Sequence, residues 1–314
     1  MWKGDGALLT DLYQLNMLAA YLDHGLTETA VFELFVRKLP LHRGFLMTAG
    51  LDQALQFLET LSFTPDELDA IRSLAQFPAS FMAWLRSFRF TGDVDAMPEG
   101  TVFFPDEPIL RVTAPLPAAQ FVETRLVNLL HFQTVVASKA ARMVLAAPEK
   151  TLIDYGLRRA HGAEAGVLAA RASYIAGFSG TATVAAGIAF GIPVYGTMAH
   201  SFVQAHDDEV LAFEHFAGSH PQGLVLLIDT YDTERAAGRV VDWHHDWQRK
   251  ELRSPVCVST AATSASMPQE FAGSSTSVGC SRSRSLPAAA STRIRCWNCR
   301  TPVRRSIPMV SVPA

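Results

Sequence analysis

The spacing of apolar residues predicts alternating helices and strands over roughly the first 250 residues of the chain. Apolar side chains recur at helical spacing in three segments, residues 8–23, 49–60 and 65–75. Residues 30–36 are rich in β-branched and aromatic side chains and predict a strand, and residues 102–116 predict short strands interrupted by prolines. We therefore expect an N-terminal mixed α/β domain over residues 1–117.

A repeating βα order is predicted from about residue 118 onward. Residues 118–147 carry apolar side chains along one face and predict a long helix or a broken pair of helices. Strands are predicted at residues 151–156, 191–197 and 224–229, and helices at residues 165–177, 181–190 and 200–218. This order is typical of an α/β barrel or a doubly wound sheet. We expect residues 118–252 to form a partial α/β barrel that carries the active site at its strand ends.

The composition changes abruptly after residue 252. Residues 253–314 contain eight arginines, no lysine and one acidic residue, so they carry a net charge of +7 against −10 for the preceding 252 residues. Thirteen serines, six prolines and only two aromatic residues leave this tail too little apolar surface for a core. A natural basic tail is one explanation, but the break in the βα order favours a shift of the reading frame. We expect an aberrant, disordered tail.

The remaining composition indicates a cytoplasmic globular protein. All four cysteines lie in the tail, which argues against a disulfide framework, and the N-terminus lacks the pattern of a secretory signal. Residues 172–205 are long and apolar enough to cross a bilayer, but five glycines and Pro193 favour a buried helix and strand. Cys296 and Cys299 have metal-like spacing without a second close pair, so no metal ligand is predicted. We expect neither a membrane nor a nucleic-acid partner.

Polar residues cluster at the ends of three successive predicted strands. Residues 154–159 include adjacent arginines, whose forked donors suit a carboxylate or a phosphate. The next cluster places His200 among the hydroxyls of Thr197 and Ser201, and residues 229–233 could orient a sugar or a metal-bound phosphate. Each cluster alone is also explained by a helix start, a structural histidine or a helix cap. Three in succession would converge on one mouth of a barrel.

The same segments resemble the nicotinate phosphoribosyltransferase family. Seven motifs occur in order between about residues 6 and 250: TDLYQ (10–14), FELFVRKLP (32–40), ETRLVNLLHFQTVVASKAAR (123–142), DYGLRRA (154–160), YIAGFSGT (174–181), FGIPVYGTMAHSFV (190–203) and LLIDTYDT (226–233). The resemblance implies a type II phosphoribosyltransferase-like α/β fold, with an N-terminal mixed domain beside an irregular barrel that is incomplete here. It also implies a homodimer with active sites at the subunit interface.

The resemblance implies a glycosyl transfer that is coupled to ATP. The family joins nicotinate to phosphoribosyl pyrophosphate, which gives pyrophosphate and nicotinate mononucleotide for NAD salvage. ATP is a co-substrate hydrolysed through a phosphorylated histidine, which His200 matches, and Mg²⁺ is the expected cofactor. Positive charge develops on the ribose as pyrophosphate departs, so the site must hold polyanions and align the ring nitrogen. We expect His200 to be catalytic and modified, and Thr197 and Ser201 to bind substrate.

Further site residues follow by position from the resemblance. Tyr13 matches a residue that reaches from the neighbouring subunit to cover the pyridine ring, and Tyr155 matches one that lines the ring from the barrel. Arg158 matches an arginine that contacts the substrate carboxylate or a phosphate. Basic positions of the family match Lys139 and Arg142, which we assign to the phosphate side.

The chain also departs from the family pattern. Residues 180–183 read Gly-Thr-Ala-Thr where the family usually has Gly-Thr-Ser-Asn. Related nicotinamide enzymes resemble Gly-Thr-Asp there, and because an aspartate would repel a carboxylate, Ala182 favours the acid over the amide. The family's DSGD segment and the glycine-rich strand ends that hold the ribose and 5′-phosphate do not follow Leu252. The alternatives are a catalytically inactive truncated homologue that acts only in binding, or a nicotinamide phosphoribosyltransferase.

Overall fold

The computed structural model describes residues 6–220 and 224–249, together with the backbone of two short strands, Cys257–Ser259 and Thr292–Cys296. Apart from these strands, the disordered tail expected over residues 253–314 lies outside the described residues. Cys299, the second member of the spaced cysteine pair, also lies outside them.

The described residues form two compact units. The first comprises residues 6–194 with the strand at 292–296, and the second comprises residues 195–249 with the strand at 257–259. The domain boundary expected between residues 117 and 118 lies inside the first unit, and as a boundary between folding domains it stays a prediction.

Helices occur throughout both units. Those of the first unit are α1 (Leu12–Asp23), α2 (Leu51–Thr60), α3 (Pro65–Ser73), α4 (Ala79–Ser87), α5 (Leu116–Phe121), α6 (Glu123–Ala146), α7 (Ala163–Ile175) and α8 (Val184–Phe190). Those of the second unit are α9 (His200–Gln204), α10 (Glu209–Ser219) and α11 (Thr233–Arg249). A 3₁₀ turn, Leu157–Arg159, precedes α7. The three helices predicted in the N-terminal region are confirmed, whereas α4 is an addition that the sequence reading did not include.

The strands are short, and they are β1 (Thr29–Leu34), β2 (Leu46–Met47), β3 (Gly92–Ala96), β4 (Val102–Phe103), β5 (Leu110–Pro115), β6 (Ile153–Asp154), β7 (Gly180–Thr181), β8 (Val225–Leu227), β9 (Cys257–Ser259) and β10 (Thr292–Cys296). One sheet of the first unit has the order β1-β5-β3-β10, and its pairs are antiparallel except for the parallel pair of β3 and β10. Strands β6 and β7 pair in parallel in the first unit, and β8 and β9 do so in the second. Parallel pairs among helices agree with the predicted α/β class, and the described residues contain no closed barrel.

The antiparallel part of the large sheet buries one of its faces. Val94 and Val112 lie opposite each other in β3 and β5 and are both buried, and Phe32 of β1 pairs with Val112. On the other face, the Arg111 Nε donates to Glu33 Oε1 at 2.7 Å. Because successive side chains of a strand point to opposite faces, one face contributes to the core and the other carries charge.

Local sequence signals explain where several helices begin. Thr64 and Glu67 form a capping box at the start of α3, where Pro65 occupies the first position. Val122 separates α5 from α6, so the segment predicted as one long helix or a broken pair is a broken pair. Each unit has a core of its own, with Leu58 fully buried in the first and Phe213 in the second.

The strand predicted at residues 191–197 is wrong in extent. The structure reduces it to a single parallel bridge between Val194 and Thr181. Pro193 has no backbone N–H to donate, and Gly191 adopts a left-handed conformation with φ of 65°, so a longer ladder is blocked on this side.

The helix predicted at residues 200–218 is also wrong, because it is two helices. The Asp208 carboxylate accepts the backbone N–H of Val210 at 2.8 Å and starts α10 as a new helix after α9. The helix predicted at residues 181–190 begins only at Val184, since the preceding residues belong to β7 and its turn. None of the helices in the described part of the chain combines the length and the apolar character that crossing a bilayer demands.

An ion pair between the buried Arg171 and the partly buried Glu99 connects the loop before β4 with α2 and α7 in the first unit. The Glu99 carboxylate accepts from Arg171 Nη1 at 2.7 Å and from Arg171 Nη2 at 2.8 Å. Its Oε1 also accepts the backbone N–H groups of Gly50 at 2.6 Å and Leu51 at 3.1 Å, which are orphan donors at the start of α2. One carboxylate thus neutralises a buried arginine and caps a helix.

Candidate active site

Tyr13 lies on α1 and is 45% exposed, and its hydroxyl forms hydrogen bonds with two neighbouring side chains. The hydroxyl donates to Glu123 Oε2 at 3.2 Å and accepts from Gln14 Nε2 at 2.8 Å. Gln14 and Gln120 are buried, and each donates to the same Glu123 oxygen at 2.9 Å. Gln120 also donates to Gln14 Oε1 at 2.8 Å. Glu123 is therefore the common acceptor of a network that joins α1, α5 and α6.

The surroundings of Tyr13 keep its hydroxyl protonated. Burial of the phenol raises the pKa of Tyr13, and the negative charges of Glu123 and Asp11 raise it further. A hydrogen bond with Thr124 acts in the opposite direction. A protonated phenol is the form that can donate to a carboxylate, so the pKa and the hydrogen-bond geometry agree.

The loop after β6 carries Tyr155 and Arg158, which the structure brings together. Asp154 closes this loop, because its Oδ2 accepts from Thr181 Oγ1 at 2.9 Å and its Oδ1 accepts the backbone N–H of Gly156 at 3.0 Å. Tyr155 is 51% exposed, and Arg158 is exposed within the 3₁₀ turn. Two exposed candidate side chains are thus held on one loop by a partly buried carboxylate.

Ala182 lies beside this loop, between two buried threonines. Its backbone N–H donates to the carbonyl oxygen of Asp154 at 2.8 Å, and the N–H of Thr183 donates to Thr181 Oγ1 at 3.0 Å. These bonds join the ends of β6 and β7. The position that distinguishes acid from amide in the resemblance is therefore adjacent to the loop of Tyr155.

Lys139 and Arg142 are exposed and lie three residues apart on α6, which places them on neighbouring parts of the helix surface. The buried face of the same helix is attached through hydroxyls. Ser138 Oγ accepts the backbone N–H of Met47 at 2.9 Å, and Thr134 hydrogen-bonds to Ala49 at 3.3 Å. The attachment of α6 fixes the helix and leaves both cations facing solvent.

His200, Thr197 and Ser201 belong to the second unit. His200 is the exposed first residue of α9, and its Nδ1 lies 3.3 Å from the hydroxyl of Thr230, which follows β8. Thr197 donates to the carbonyl oxygen of Val225 at 2.8 Å, and Ser201 is exposed. The structure therefore brings together the second and third polar clusters expected at strand ends, whereas the residues of the first cluster lie in the first unit.

Glu209 is a buried carboxyl group that the sequence did not single out. Its Oε2 lies 4.0 Å from Arg239 Nη1, and its buried Oε1 has no hydrogen-bond partner among the described atoms. Burial raises the pKa of Glu209, the charge of Arg239 opposes this shift, and Asp208 adds to it. The second unit thus contains a carboxylate that its surroundings stabilise poorly.

The described residues offer no cluster of side chains that would by itself hold the expected Mg²⁺ through three or more protein ligands. These residues contain no group of three or more histidine, cysteine, aspartate or glutamate side chains placed to hold a metal ion. Mg²⁺ keeps several of its waters and commonly binds through one or two carboxylates and the phosphates of a substrate. Mg²⁺ therefore stays a prediction, and its expected role is that of a counter-ion to a polyphosphate substrate.

Sequence reasoning missed the residues that hold Tyr13. One signal was present, because Gln14 lies four residues before the fully buried Leu18 and therefore on the buried face of α1. A glutamine on such a face needs partners, and those partners are more than 100 residues away. The ion pair of Glu99 and Arg171 carried no comparable signal, since it joins positions 72 residues apart.

Comparison with known proteins identifies the family. Residues 8–131 match the model of the nicotinate phosphoribosyltransferase (NAPRTase) N-terminal domain. The chain is 51% identical over 237 residues to a nicotinate phosphoribosyltransferase of Mycobacterium tuberculosis, covering 76% of this chain and 51% of that protein. It is 44% identical over 231 residues to the nicotinate phosphoribosyltransferase of Bacillus subtilis, covering 73% of this chain and 47% of that protein. The chain thus spans about half the length of these relatives.

Solved structures give the same result for the fold. Human nicotinic acid phosphoribosyltransferase matches with a TM-score of 0.72 and 30% identity, covering 79% of this chain and 60% of the human chain. A nicotinate-nucleotide pyrophosphorylase from Pyrococcus furiosus matches with a TM-score of 0.61 and 20% identity, covering 82% of this chain and 66% of the other, and supports the fold alone. The predicted type II phosphoribosyltransferase-like fold is confirmed. The chain belongs, over the residues that match, to the nicotinate phosphoribosyltransferase family.

Proposed function

We propose that the protein acts in the nicotinate phosphoribosyltransferase reaction, which joins nicotinate to phosphoribosyl pyrophosphate and gives nicotinate mononucleotide and pyrophosphate. The observation that carries this proposal is that the family's site positions are exposed here and lie on segments that hydrogen-bond to buried residues. Tyr13, Tyr155 and Arg158 face solvent, whereas Gln14 and Thr181 beneath them are buried.

Nicotinate is a flat ring with a carboxylate, and the first unit offers complementary groups. Exposed tyrosine rings suit stacking on a planar heteroaromatic ring. The Arg158 guanidinium suits a carboxylate, because its donors form a fork that binds two oxygens at once. Ala182 places no negative charge beside that carboxylate, which supports nicotinate over nicotinamide as the base.

Phosphoribosyl pyrophosphate requires positive charge, because it carries several phosphate groups. Lys139 and Arg142 are exposed cations on one surface of α6 and are our assignment for the phosphate side. When bound to the pyrophosphate, Mg²⁺ would supply charge neutralisation for the leaving group beside Lys139 and Arg142. The role of these cations is to hold the pyrophosphate group while the tyrosine rings and Arg158 hold the base, so that the ring nitrogen can approach C1 of the ribose.

His200 is our assignment for the coupling to ATP. If Nδ1–H donates to Thr230, the neutral imidazole keeps a lone pair on Nε2, and that nitrogen is the nucleophile. Nε2 attacks the γ-phosphorus of ATP, an N–P bond forms, and the P–O bond to ADP breaks with its electron pair leaving on ADP. Water later cleaves the N–P bond and releases phosphate. Exposure of His200 supports this role, since a phosphate donor must reach it.

The homodimer and the cytoplasmic location are parts of the same proposal. In the family-like dimer, Tyr13 would cover a pyridine ring bound by the partner subunit. The exposure of Tyr13 supports this arrangement, because an aromatic ring that served only its own core would be buried.

The test is a transferase assay together with the coding sequence around residues 245–260. The full chain, and the protein with a restored frame if a one-base shift is found, are incubated with phosphoribosyl pyrophosphate, ATP, Mg²⁺ and either nicotinate or nicotinamide. We expect nicotinate mononucleotide by chromatography from the restored protein. Preference for nicotinamide would assign the sister reaction, and nicotinate binding without product in both proteins would assign an inactive binding homologue.

A further inference from the structure

The hydrogen bonds around Tyr13 fix the orientation of the Gln14 amide, whose Nε2 also lies 3.3 Å from Thr124 Oγ1. Gln14 Nε2 faces the Tyr13 hydroxyl and the Glu123 carboxylate, and turning the amide over would place its oxygen against that carboxylate. Gln120 donates to both Gln14 Oε1 and Glu123 Oε2, which uses both of its N–H groups. The Tyr13 hydroxyl must then donate to Glu123 while it accepts from Gln14.

This arrangement fixes the aromatic ring through its hydroxyl group. Both roles of the Tyr13 hydroxyl are filled, so the ring cannot change rotamer without breaking two hydrogen bonds, one of them to a charged group. Gln14 is fully buried and Glu123 begins α6, so the partners themselves have little freedom. The result is a side chain that is 45% exposed and yet held in place.

We propose that Glu123, together with Gln14 and Gln120, forms a set of positioning residues that hold the Tyr13 ring ready to stack on a planar aromatic substrate. The inference rests on the proposed function for the identity of that substrate. Glu123 does not touch the substrate, and it acts through the Tyr13 hydroxyl. Pre-organisation of the ring removes part of the entropy cost of binding, so loss of the acceptor weakens binding without deleting a substrate contact.

The experiment uses the full chain labelled with 3-fluorotyrosine and observed by fluorine NMR. The chain contains six tyrosines, and the Tyr13 signal is the one that disappears in Tyr13→Phe. In Glu123→Gln, we expect the phenol of Tyr13 to titrate at lower pH than in the parent, because the negative charge that disfavours the phenolate is gone. Glu164→Gln is the matched control, since Glu164 is also a first-turn glutamate with a hydrogen-bonded partner, Arg125.

The second measurement is the affinity for nicotinate of the same proteins by isothermal titration calorimetry, because Tyr13→Phe has no Tyr13 signal to follow. We expect nicotinate to shift the Tyr13 signal of the parent, and Glu123→Gln to raise its apparent Kd about five- to tenfold, because a neutral amide oxygen replaces the charged acceptor and weakens the hydrogen bond. Tyr13→Phe should give a similar increase, and the two changes combined should not add, because they remove the same interaction. Tyr174→Phe, at a tyrosine that is 41% exposed, should leave the affinity unchanged.

The outcomes separate the inference from the proposed function. An unchanged titration of Tyr13 in Glu123→Gln, or strictly additive effects on Kd, would overturn the positioning role whether or not nicotinate binds. A changed titration with no response of any tyrosine to nicotinate would overturn the proposed function and with it the substrate role of the ring. If Glu123→Gln does not fold, the Kd values of Tyr13→Phe and Tyr174→Phe for nicotinate are compared instead. Equal Kd values in these two variants would contradict the inference.

Discussion

In the first compact unit, several hydrogen bonds hold Tyr13 and the loop that carries Tyr155, whereas the second unit presents His200 to solvent at the first position of a five-residue helix. In the first unit, Tyr13 is bonded to Glu123 and Gln14, and Asp154 closes the loop that carries Tyr155. In the second, the His200 ring contacts the Thr230 hydroxyl at 3.3 Å. The candidate side chains of the first unit are therefore held by more hydrogen bonds than His200 in the second unit.

The difference follows from what each side chain must do under the proposed function. A ring that stacks on a substrate gains from being held before the substrate arrives, because ordering it at binding would cost entropy. A nucleophile that exchanges a phosphate group must be reachable and must accommodate both its free and its phosphorylated form. Substitutions that remove the polar contacts of each unit therefore test whether the two units differ in how firmly they hold their side chains.

Removal of the Glu99 carboxylate, the partner of the buried Arg171, should give the largest loss of stability. Glu99→Ala leaves Arg171 buried without its bidentate partner and removes the cap from the start of α2. We expect the free energy of unfolding, measured by urea denaturation of the full chain, to fall by about 3–5 kcal/mol. The exposed pair of Asp69 and Arg72 is the control, and Arg72→Met should cost no more than about 1 kcal/mol. An equal loss in the free energy of unfolding for both variants would contradict a larger contribution of the Glu99–Arg171 pair than of the exposed pair.

Loss of His200 should affect function and leave stability unchanged. We expect His200→Ala, in the protein with a restored frame, to abolish stimulation by ATP and to keep basal transfer, because the histidine couples energy and does not break the glycosidic bond. An exposed side chain contributes little to folding, so the free energy of unfolding should change by less than about 0.5 kcal/mol. Stimulation is measured as the rate with and without ATP, and His131→Ala at an exposed position of α6 is the control. Persisting ATP dependence would place the coupling on another residue.

The contact between Thr230 and His200 should have a moderate effect. Thr230→Val keeps the shape of the side chain but removes the hydroxyl at the His200 Nδ1, so the imidazole loses its orientation and its tautomer preference. We expect stimulation by ATP to fall about fivefold, the equivalent of about 1 kcal/mol for one hydrogen bond. Thr233→Val, in the same loop and helix start, serves as the matched control. If both variants behave like the parent, the hydrogen bond does not orient His200.

Glu209 should give the smallest effect and a specific pH dependence. Because burial raises the pKa of Glu209 in the folded state, the folded protein holds this proton more tightly than the unfolded chain does. Its contribution to stability is therefore present below the unfolded pKa of a glutamate and is lost as the pH rises through the raised folded pKa. We expect the stability of Glu209→Gln relative to the parent to increase over that interval in urea denaturation at several pH values. A difference that is constant with pH would show that the carboxyl group does not titrate abnormally.

Much of the fold could be read from the spacing of apolar residues. The helices α1, α2 and α3 and the strand β1 occupy the segments that periodicity predicted, because short elements with one buried face leave a clear pattern. The failures lie where a local cap or a proline competed with that pattern. Asp208 divides one predicted helix into two, and Pro193 reduces a predicted strand to the bridge at Val194.

The sequence by itself determined the family, the α/β class and the identity of the candidate side chains, since these depend on residue types in a fixed order. Only the tertiary structure decided which groups hold them. Tyr13 meets Glu123 across 110 positions, and Glu99 meets Arg171 across 72. Such pairs leave no periodic trace, because a buried polar atom needs a partner in space and imposes no condition on where that partner lies in the chain.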